Sequence, residues 1–271
     1  MRIDAHQHYW KLENEWTNWP TNDLKAIYKD FLPENLEPHL NKHQIDQTIV
    51  VQAAPKEEET KFLLKLAEDH ESIGGVVGWL DLADSSFLER FTQYKQHPKF
   101  VGIRPMLQDL ADDRWILRPD VKRNLKILIE HDFPIDLLIY SKHLPYIVEL
   151  LAEFPTLRAV IDHCAKPDIK DQEWDAWAEG IAMVAQHPST MCKISGLITE
   201  ADHQTWKPTD IQPYIEHVCQ VFGSKRVMFG SDWPVCQLAG TYDEVIKIVE
   251  GTFSQDQALV FGENAREFYK I

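Results

Sequence analysis

Eight short apolar runs, rich in β-branched residues, alternate with amphipathic segments along the whole 271-residue chain. In the segment of residues 56–70, for example, Phe62, Leu63 and Leu66 fall on one side of a helix and most charged residues fall elsewhere. Such alternation predicts parallel strands joined by right-handed crossovers. The eight predicted strands are residues 2–4, 48–53, 74–80, 100–104, 135–139, 159–162, 191–194 and 227–229.

Eight strand–helix units predict an α/β fold in which the sheet closes into a (β/α)8 barrel, and such barrels need about 250 residues. We therefore expect one domain over residues 1–271. The reactive groups of such barrels lie at the carboxyl ends of the strands. Residues 10–31 follow the first predicted strand with little helical or strand signal, so we expect this segment, with Trp10, Trp16 and Trp19, to lie over the mouth of the barrel.

Acidic residues dominate the charge, with 43 Asp and Glu against 28 Lys and Arg and a formal net charge of −15. Such a field repels phosphate backbones and anionic lipid heads, so we expect neither a nucleic acid nor a membrane as a partner. Arg2, Asp4 and His6 stand where a signal peptide would be apolar, and no apolar run reaches the roughly 20 residues of a membrane helix. We therefore expect a cytoplasmic protein.

A His-Gln-His run places His6 and His8 just after the first apolar run. Residues two apart in extended backbone point the same way, so both imidazoles can face one cavity. Imidazole binds divalent metals and also exchanges protons near neutral pH. A structural role explains such a pair equally well, so the rest of the sequence must decide between the two.

Asp232 follows the eighth predicted strand in the run Arg-Val-Met-Phe-Gly-Ser-Asp-Trp-Pro. The first and eighth strands of a closed barrel are neighbours, which places Asp232 beside His6 and His8 at the mouth. A carboxylate in that position can accept a proton from water. The alternative interpretation is a turn aspartate, because Gly230 and Pro234 flank it.

His163 ends the sixth predicted strand, and Lys166 follows it in the run Asp-His-Cys-Ala-Lys-Pro. An imidazole can polarise a carbonyl, and an ammonium group can donate a hydrogen bond to a substrate oxygen. A single histidine at a strand end is often structural. The partners expected on strands one and eight favour a functional role for His163.

Four stretches together resemble the amidohydrolase-related lactonases, which include L-fuconolactonase, L-rhamnonolactonase and 2-pyrone-4,6-dicarboxylate lactonase. They are Ile-Asp-Ala-His-Gln-His-Tyr-Trp near the start, Val-Gly-Ile-Arg-Pro at 101–105, Asp-His-Cys-Ala-Lys-Pro at 162–167, and Lys-Ile-Ser-Gly-Leu followed by Met-Phe-Gly-Ser-Asp-Trp-Pro. The resemblance extends over essentially the whole chain. It implies a distorted barrel of the amidohydrolase type that opens cyclic esters with water.

The same resemblance implies the role of each catalytic candidate. Asp232 is the implied general base, and His6, His8 and His163 are implied ligands of the reacting carbonyl or of a metal. Many amidohydrolases add a carboxylated lysine after strand four and a histidine after strand five, which this sequence lacks at the matching places. We therefore expect at most one metal, a zinc ion on His6, His8 and Asp232, and catalysis without any metal remains the alternative.

Substrate contacts are predicted at five further positions. The resemblance implies this role for Arg104 and Lys166. Gln52, Lys193 and Trp233 lie at strand ends, where packing or structural hydrogen bonding explains them equally well.

A neutral sugar lactone is the expected substrate, such as L-fuconolactone or L-rhamnonolactone, because the strand ends supply fewer cations than a dicarboxylated pyrone requires. Water activated by Asp232 would open it to the aldonic acid. Two alternatives stay open: a metal-dependent decarboxylase of an aromatic or unsaturated acid, and a barrel that binds a sugar acid without catalysis.

The oligomeric state of the protein stays open. Trp174, Trp177 and Ile181 could form a homodimer interface, but the favoured interpretation is that they pack over the barrel.

Three nearby nucleophiles are given no catalytic role. Cys164 and Cys236 adjoin the predicted site, but buried packing is the typical role of cysteine. Ser195 precedes a glycine and lacks a recognisable Ser-His-Asp arrangement, so we assign it to a turn.

Overall fold

The computed structural model describes all residues from 1 to 271 and contains one sheet of eight parallel strands in sequential order. This arrangement confirms the predicted α/β barrel. The strands are β1 Ile3–Gln7, β2 Gln47–Val51, β3 Ile73–Gly78, β4 Phe100–Ile103, β5 Ile135–Leu137, β6 Ala159–Ile161, β7 Thr190–Ile194 and β8 Val227–Phe229. The prediction ended the first strand too early, because β1 continues to Gln7 and carries His6 within it.

Helices surround the sheet and connect its strands. They are α1 Pro33–His43, α2 Glu57–Asp69, α3 Phe87–Lys95, α4 Pro119–Glu130, α5 Leu144–Glu153, α6 Asp175–Ala185, α7 Pro208–Phe222, α8 Tyr242–Thr252 and α9 Asn264–Tyr269. The sequence patterns did not predict α1 or α9. Pro38 lies inside α1 and obscures its helical pattern, whereas α9 is a short helix. No helix has the length and apolar character that crossing a membrane would require.

The barrel closes between β1 and the segment that follows β8. The amide of Asp232 donates to the carbonyl oxygen of His6 at 2.8 Å, and the amide of His8 donates to the carbonyl oxygen of Trp233 at 2.7 Å. We call these paired segments, residues 6–8 and 232–233, the seam. Because β8 already ends at Phe229, the seam lies at the carboxyl ends of the strands, where the predicted site residues also lie.

The opposite end of the barrel is filled by α9. Its residues Ala265, Phe268 and Tyr269 are buried in an apolar cluster with side chains of the strands such as Val101 and Met228. Burial of this apolar surface stabilises the barrel interior and leaves only the carboxyl end open to a ligand.

The segment of residues 10–31 contains no helix or strand, as expected. Trp10 and Phe31 pair through two backbone hydrogen bonds of 3.0 Å, which hold the two ends of the segment together. Trp19 packs against Trp10 and lines the cavity at the barrel mouth. Trp16 instead packs against Phe62, so only part of this aromatic segment faces the mouth.

A buried carboxyl group of α2 makes the stability of the barrel dependent on pH. Glu59 is 3% exposed and accepts hydrogen bonds from the amides of Ala53 and Ala54, in the loop after β2, at 2.9 and 2.7 Å. Burial raises the pKa of Glu59 from its ordinary 4.5 to about 7, although these two hydrogen bonds and the charge of Arg104 oppose the shift.

We expect Glu59→Gln to become more stable relative to the wild type as the pH rises from about 4.5 to about 7. In that range the unfolded wild-type chain has lost the Glu59 proton while the folded chain retains it, so unfolding of the wild type becomes easier. The free energy of unfolding of Glu59→Gln relative to that of the wild type rises by up to about 3 kcal/mol over this range, because one pKa unit corresponds to about 1.4 kcal/mol. Urea unfolding of both proteins at pH 4.5 and pH 8 measures it, and parallel pH profiles would contradict the assignment.

Candidate active site

Three imidazoles converge on one carboxylate at the carboxyl end of the barrel. The Nε2 atoms of His8, His6 and His163 lie 3.2, 3.8 and 3.9 Å from Oδ1 of Asp232. His6 is fully buried and the other three residues are at most 4% exposed. The seam and the turn after β6 therefore bring together the four catalytic candidates predicted from distant parts of the chain.

The other ring nitrogen of each histidine contacts a second protein group. Nδ1 of His8 lies 2.7 Å from the carbonyl oxygen of Val51, and a carbonyl can only accept, so this nitrogen carries the hydrogen. In the neutral ring, Nε2 of His8 then directs a lone pair at the Asp232 carboxylate. Two acceptors at this distance repel unless a cation or a proton lies between them, so the donor set fits a divalent cation.

Two overlapping groups of side chains have the spacing of metal ligands. The first is His6, His8 and Asp232, and the second is His6, Asp162 and His163. The carboxylate of the second group already has cationic partners, because Oδ1 of Asp162 lies 3.2 Å from Nζ of Lys193 and its Oδ2 lies 3.4 Å from Nη1 of Arg104. The first group is therefore the better candidate for holding a metal ion.

A buried ionic network lies beneath the imidazoles. Lys193 also donates to Asp136, whose carboxylate accepts a hydrogen bond from the Tyr269 hydroxyl at 2.8 Å. Nη1 of Arg104 lies 3.4 Å from Oδ2 of Asp162. Burial opposes ionisation of Asp162, but the charges of Lys193, His6 and Arg104 outweigh it and hold its pKa well below the ordinary value. Asp162 is therefore a fixed anion that orients His6.

Burial and charge set the protonation states of the reactive pair. Burial lowers the pKa of His163 well below its ordinary value, so its imidazole is neutral at pH 7. Burial would raise the pKa of Asp232, but interactions with His163, His8 and Lys166 outweigh it and leave this pKa lowered. The site therefore presents an ionised carboxylate beside a neutral imidazole.

The backbone around the site is strained. His163, Cys164, Ala165 and Lys166 have consecutive φ values of +51, +52, +60 and +49°, and Asp232 has a φ of +55°. This left-handed conformation is costly for residues other than glycine and persists only where the surrounding structure enforces it. Its concentration at His163, Lys166 and Asp232 is typical of a functional site.

Gly196 allows the loop after β7 to approach the reactive pair. It has a φ of +63°, and a Cβ atom at this position would lie 2.6 Å from Nδ1 of His163 and 3.1 Å from Oδ2 of Asp232. The neighbouring Ser195 places its hydroxyl 2.8 Å from Nδ1 of His163. Glycine is therefore required at position 196 for His163 to occupy its place.

A cavity of about 910 Å³ opens above these groups, and Asp232, His8 and His163 form part of its wall. Arg104 also lines it and donates to the carbonyl oxygen of Gln52. Lys166 lines the side near β6 and lies 3.4 Å from the carboxylate of Glu200. Arg104 and Lys166 are therefore placed where the predicted contact with a substrate requires them.

Three other predicted substrate contacts do not line this cavity. Gln52 is fully buried and donates to the carbonyl oxygen of Arg104 at 2.9 Å. Trp233 is 1% exposed, and Phe31 packs against it. Lys193 is buried in the ionic network. These placements favour roles in holding neighbouring groups over direct contact with a substrate.

Four polar residues of the site were not predicted. Asp136 and Asp162 stand in or directly after apolar strands, and an isolated charge in such a run is the signal that could have identified them. Ser195 was assigned to a turn, but it contacts His163. Glu200 ends a short 3-10 helix between β7 and α7, where the sequence carries no comparable signal. Burial raises the pKa of the Cys236 thiol well above its ordinary value, which agrees with an inert cysteine.

Comparisons with known proteins find similar chains over nearly the whole length. The family described as Amidohydrolase matches residues 3–271. The chain is similar to L-fucono-1,5-lactonase from Burkholderia ambifaria, with 40% identity over 100% of this chain and 96% of that protein, and to L-fucono-1,5-lactonase from Burkholderia multivorans, with 35% identity over 92% and 88%. A crystal structure of an amidohydrolase from Burkholderia multivorans with bound zinc is 33% identical, with a TM-score of 0.94 over 100% of this chain and 99% of that chain.

We expect Lys193→Met to lower the free energy of unfolding by about 3–5 kcal/mol, because it leaves Asp136 and Asp162 buried without their shared ammonium partner. Lys65→Met is the matched control, since Lys65 also contacts two carboxylates but lies exposed on α2. Lys65→Met should lose little free energy of unfolding because solvent screens exposed ion pairs. Urea unfolding measures both variants, and equal losses would contradict the importance of the buried network.

Proposed function

Because this chain belongs to the amidohydrolase family, we propose that it hydrolyses a sugar lactone, such as L-fucono-1,5-lactone, to the aldonic acid. One observation supports this most directly: an ionised Asp232 lies among three imidazoles in a cavity large enough for a sugar. A carboxylate acceptor beside a neutral imidazole donor is the pair that hydrolysis of a cyclic ester needs.

His6, His8 and Asp232 would hold one zinc ion, as their spacing and the lone pair of His8 suggest. The similar amidohydrolase from Burkholderia multivorans binds zinc, which supports this choice of metal. When bound, zinc would polarise the lactone carbonyl and lower the pKa of water.

Asp232 acts first, as the proton acceptor. It takes a proton from the water molecule whose oxygen attacks the lactone carbonyl carbon, and negative charge then develops on the carbonyl oxygen. The lowered pKa of Asp232 keeps this residue ionised at neutral pH, ready to accept.

His163 acts on the developing oxyanion. The Ser195 hydroxyl can donate to Nδ1 of His163, which leaves the hydrogen of the neutral ring on Nε2. That N–H group can donate to the carbonyl oxygen as it becomes negative, and the cation of Arg104 in the same wall adds to this stabilisation.

Ring opening completes the reaction. The bond between the carbonyl carbon and the ring oxygen breaks, and the proton held by Asp232 passes to that oxygen to form a hydroxyl group. The aldonic acid then ionises and releases one proton to solvent. Lys166 and Glu200 lie together in the cavity wall, where an ammonium donor and a carboxylate acceptor can bind sugar hydroxyls.

The charge of the cavity favours a neutral substrate. Two cations, Arg104 and Lys166, line it beside the carboxylates of Asp81, Asp109, Glu200 and Asp232. A dicarboxylate would need several cationic partners that this wall does not supply. This balance supports a sugar lactone over a dicarboxylated pyrone.

The proposal is tested with a panel of sugar lactones, in which a pH indicator reports acid release by the purified protein with and without chelator and added zinc. We expect turnover of L-fucono-1,5-lactone, and Asp232→Asn should lower kcat by about 10²–10⁴-fold because it removes the base. Metal analysis of each protein separates loss of the base from loss of zinc. Asp109→Asn is the matched control, because Asp109 lines the cavity but is exposed, and it should retain activity.

No turnover of any lactone above the rate in buffer would overturn the proposal. Release of carbon dioxide from an aromatic acid would instead support the decarboxylase alternative.

We expect Gly196→Ala to lower kcat at least tenfold, because its Cβ atom would displace the His163 ring. Gly223→Ala is the matched control: Gly223 also has a positive φ, +72°, but no atom lies within 4 Å of its added Cβ. Both variants should lose stability because alanine is strained at a positive φ, and Gly223→Ala should lose a substantial amount because its ψ of 159° lies in a region almost confined to glycine; only the first should lose activity. Equal kcat values for the two variants would contradict the placement of His163.

A further inference from the structure

The cavity is larger than a monosaccharide lactone requires. Its volume of about 910 Å³ lies near the upper end of the roughly 300–1,000 Å³ that pockets for drug-sized ligands occupy. A monosaccharide lactone is much smaller than such a ligand. The volume therefore leaves room for a second chemical group attached to the lactone ring.

The reactive groups occupy only the buried floor of this space. His8, His163 and Asp232 are at most 4% exposed. The loops after β3, β4 and β5 form a more exposed wall that contains Trp79, Trp115 and, at 36% exposure, Tyr140. Because these three strands are neighbours in the sheet, the aromatic residues form one side of the mouth, which we call the aromatic wall.

The tryptophans of this wall have unused hydrogen-bond donors. Of the nine tryptophans, Trp10, Trp177 and Trp206 donate their indole N–H groups to backbone carbonyls at 2.8, 2.7 and 2.7 Å. Trp79 and Trp115 are among the six whose indole N–H groups donate to no protein acceptor, and unlike the buried Trp233 they line the open cavity. An indole with a free N–H group offers an apolar face and a donor at its edge, which suits a ligand that has both C–H surfaces and hydroxyl groups.

We propose that the aromatic wall is a second subsite that binds a neutral sugar unit attached to the lactone, so that the protein also hydrolyses lactones of disaccharide acids. This inference rests on the proposed lactone hydrolysis. The attached sugar stacks on Trp79 and Trp115 while the lactone ring lies over the reactive floor. The exposed carboxylates of Asp81 and Asp109 line the same cavity and disfavour an anionic substituent, while they can accept hydrogen bonds from sugar hydroxyls.

The test compares cellobiono-1,5-lactone and lactobiono-1,5-lactone with D-glucono-1,5-lactone, which has the same ring without the second sugar. We expect kcat/KM for at least one disaccharide lactone to exceed that for the monosaccharide. Trp79→Ala should lower the disaccharide value at least tenfold and leave the monosaccharide value within twofold. Trp79→Phe should retain part of the preference, because it keeps an aromatic face for stacking but loses the pyrrole ring with its N–H donor.

Trp16→Ala is the matched control, since Trp16 packs against Phe62 and does not line the cavity. Trp16→Ala should leave kcat/KM unchanged for both the disaccharide and the monosaccharide lactones. Trp115→Ala provides a second variant of the wall should Trp79→Ala fail to fold.

Three outcomes would overturn the subsite. The first is a kcat/KM for both disaccharide lactones that does not exceed the kcat/KM for D-glucono-1,5-lactone. The second is an equal loss on both substrate types in Trp79→Ala, which would place the lactone ring itself on this wall. The third is a preference for aryl-substituted over glycosyl-substituted lactones. The absence of all lactone turnover would instead overturn the proposed function.

Discussion

The seam between the first strand and the segment after the last one is the contact on which the reactive geometry depends. Two backbone hydrogen bonds join residues 6–8 to residues 232–233. A buried carboxylate reinforces them, because Asp4 accepts from the amides of Ser231 at 2.9 Å and His6 at 3.2 Å, and from the hydroxyl of Tyr242 at 3.1 Å. Closing the barrel and assembling the imidazoles around Asp232 are thus one structural event.

The charges beneath the seam explain why the site can attract a cation. Arg104 and Lys193 supply two positive charges, whereas Asp136, Asp162 and Asp232 can supply three negative ones. The two cations lie against Asp136 and Asp162, so the charge of Asp232 is the one left facing the imidazoles. This excess of buried negative charge among three imidazoles favours binding a metal ion beside Asp232.

Much of this arrangement could be predicted because it follows local patterns. Alternating apolar runs predicted the strand order, and a closed barrel then placed His6, His8 and Asp232 together. The ion pair of Asp162 with Lys193 had no such pattern, since it joins the residue after β6 to a residue of β7, and the sequence does not reveal the register of these strands. The role of Lys193 stayed open between substrate contact and structural bonding for the same reason: the sequence pattern of a charge at a strand end is the same whether it faces a ligand or a buried partner.

The division of the cavity into a buried floor and an exposed aromatic wall bears on how such a barrel can evolve. The positions of His8, His163 and Asp232 are set by strand ends and by the seam, whereas Trp79, Trp115 and Tyr140 lie in the connections that follow β3, β4 and β5. Loops tolerate substitution and insertion better than the elements that they connect. Mutations in the wall can therefore exchange one ligand for another across a lineage while the bond being broken stays the same.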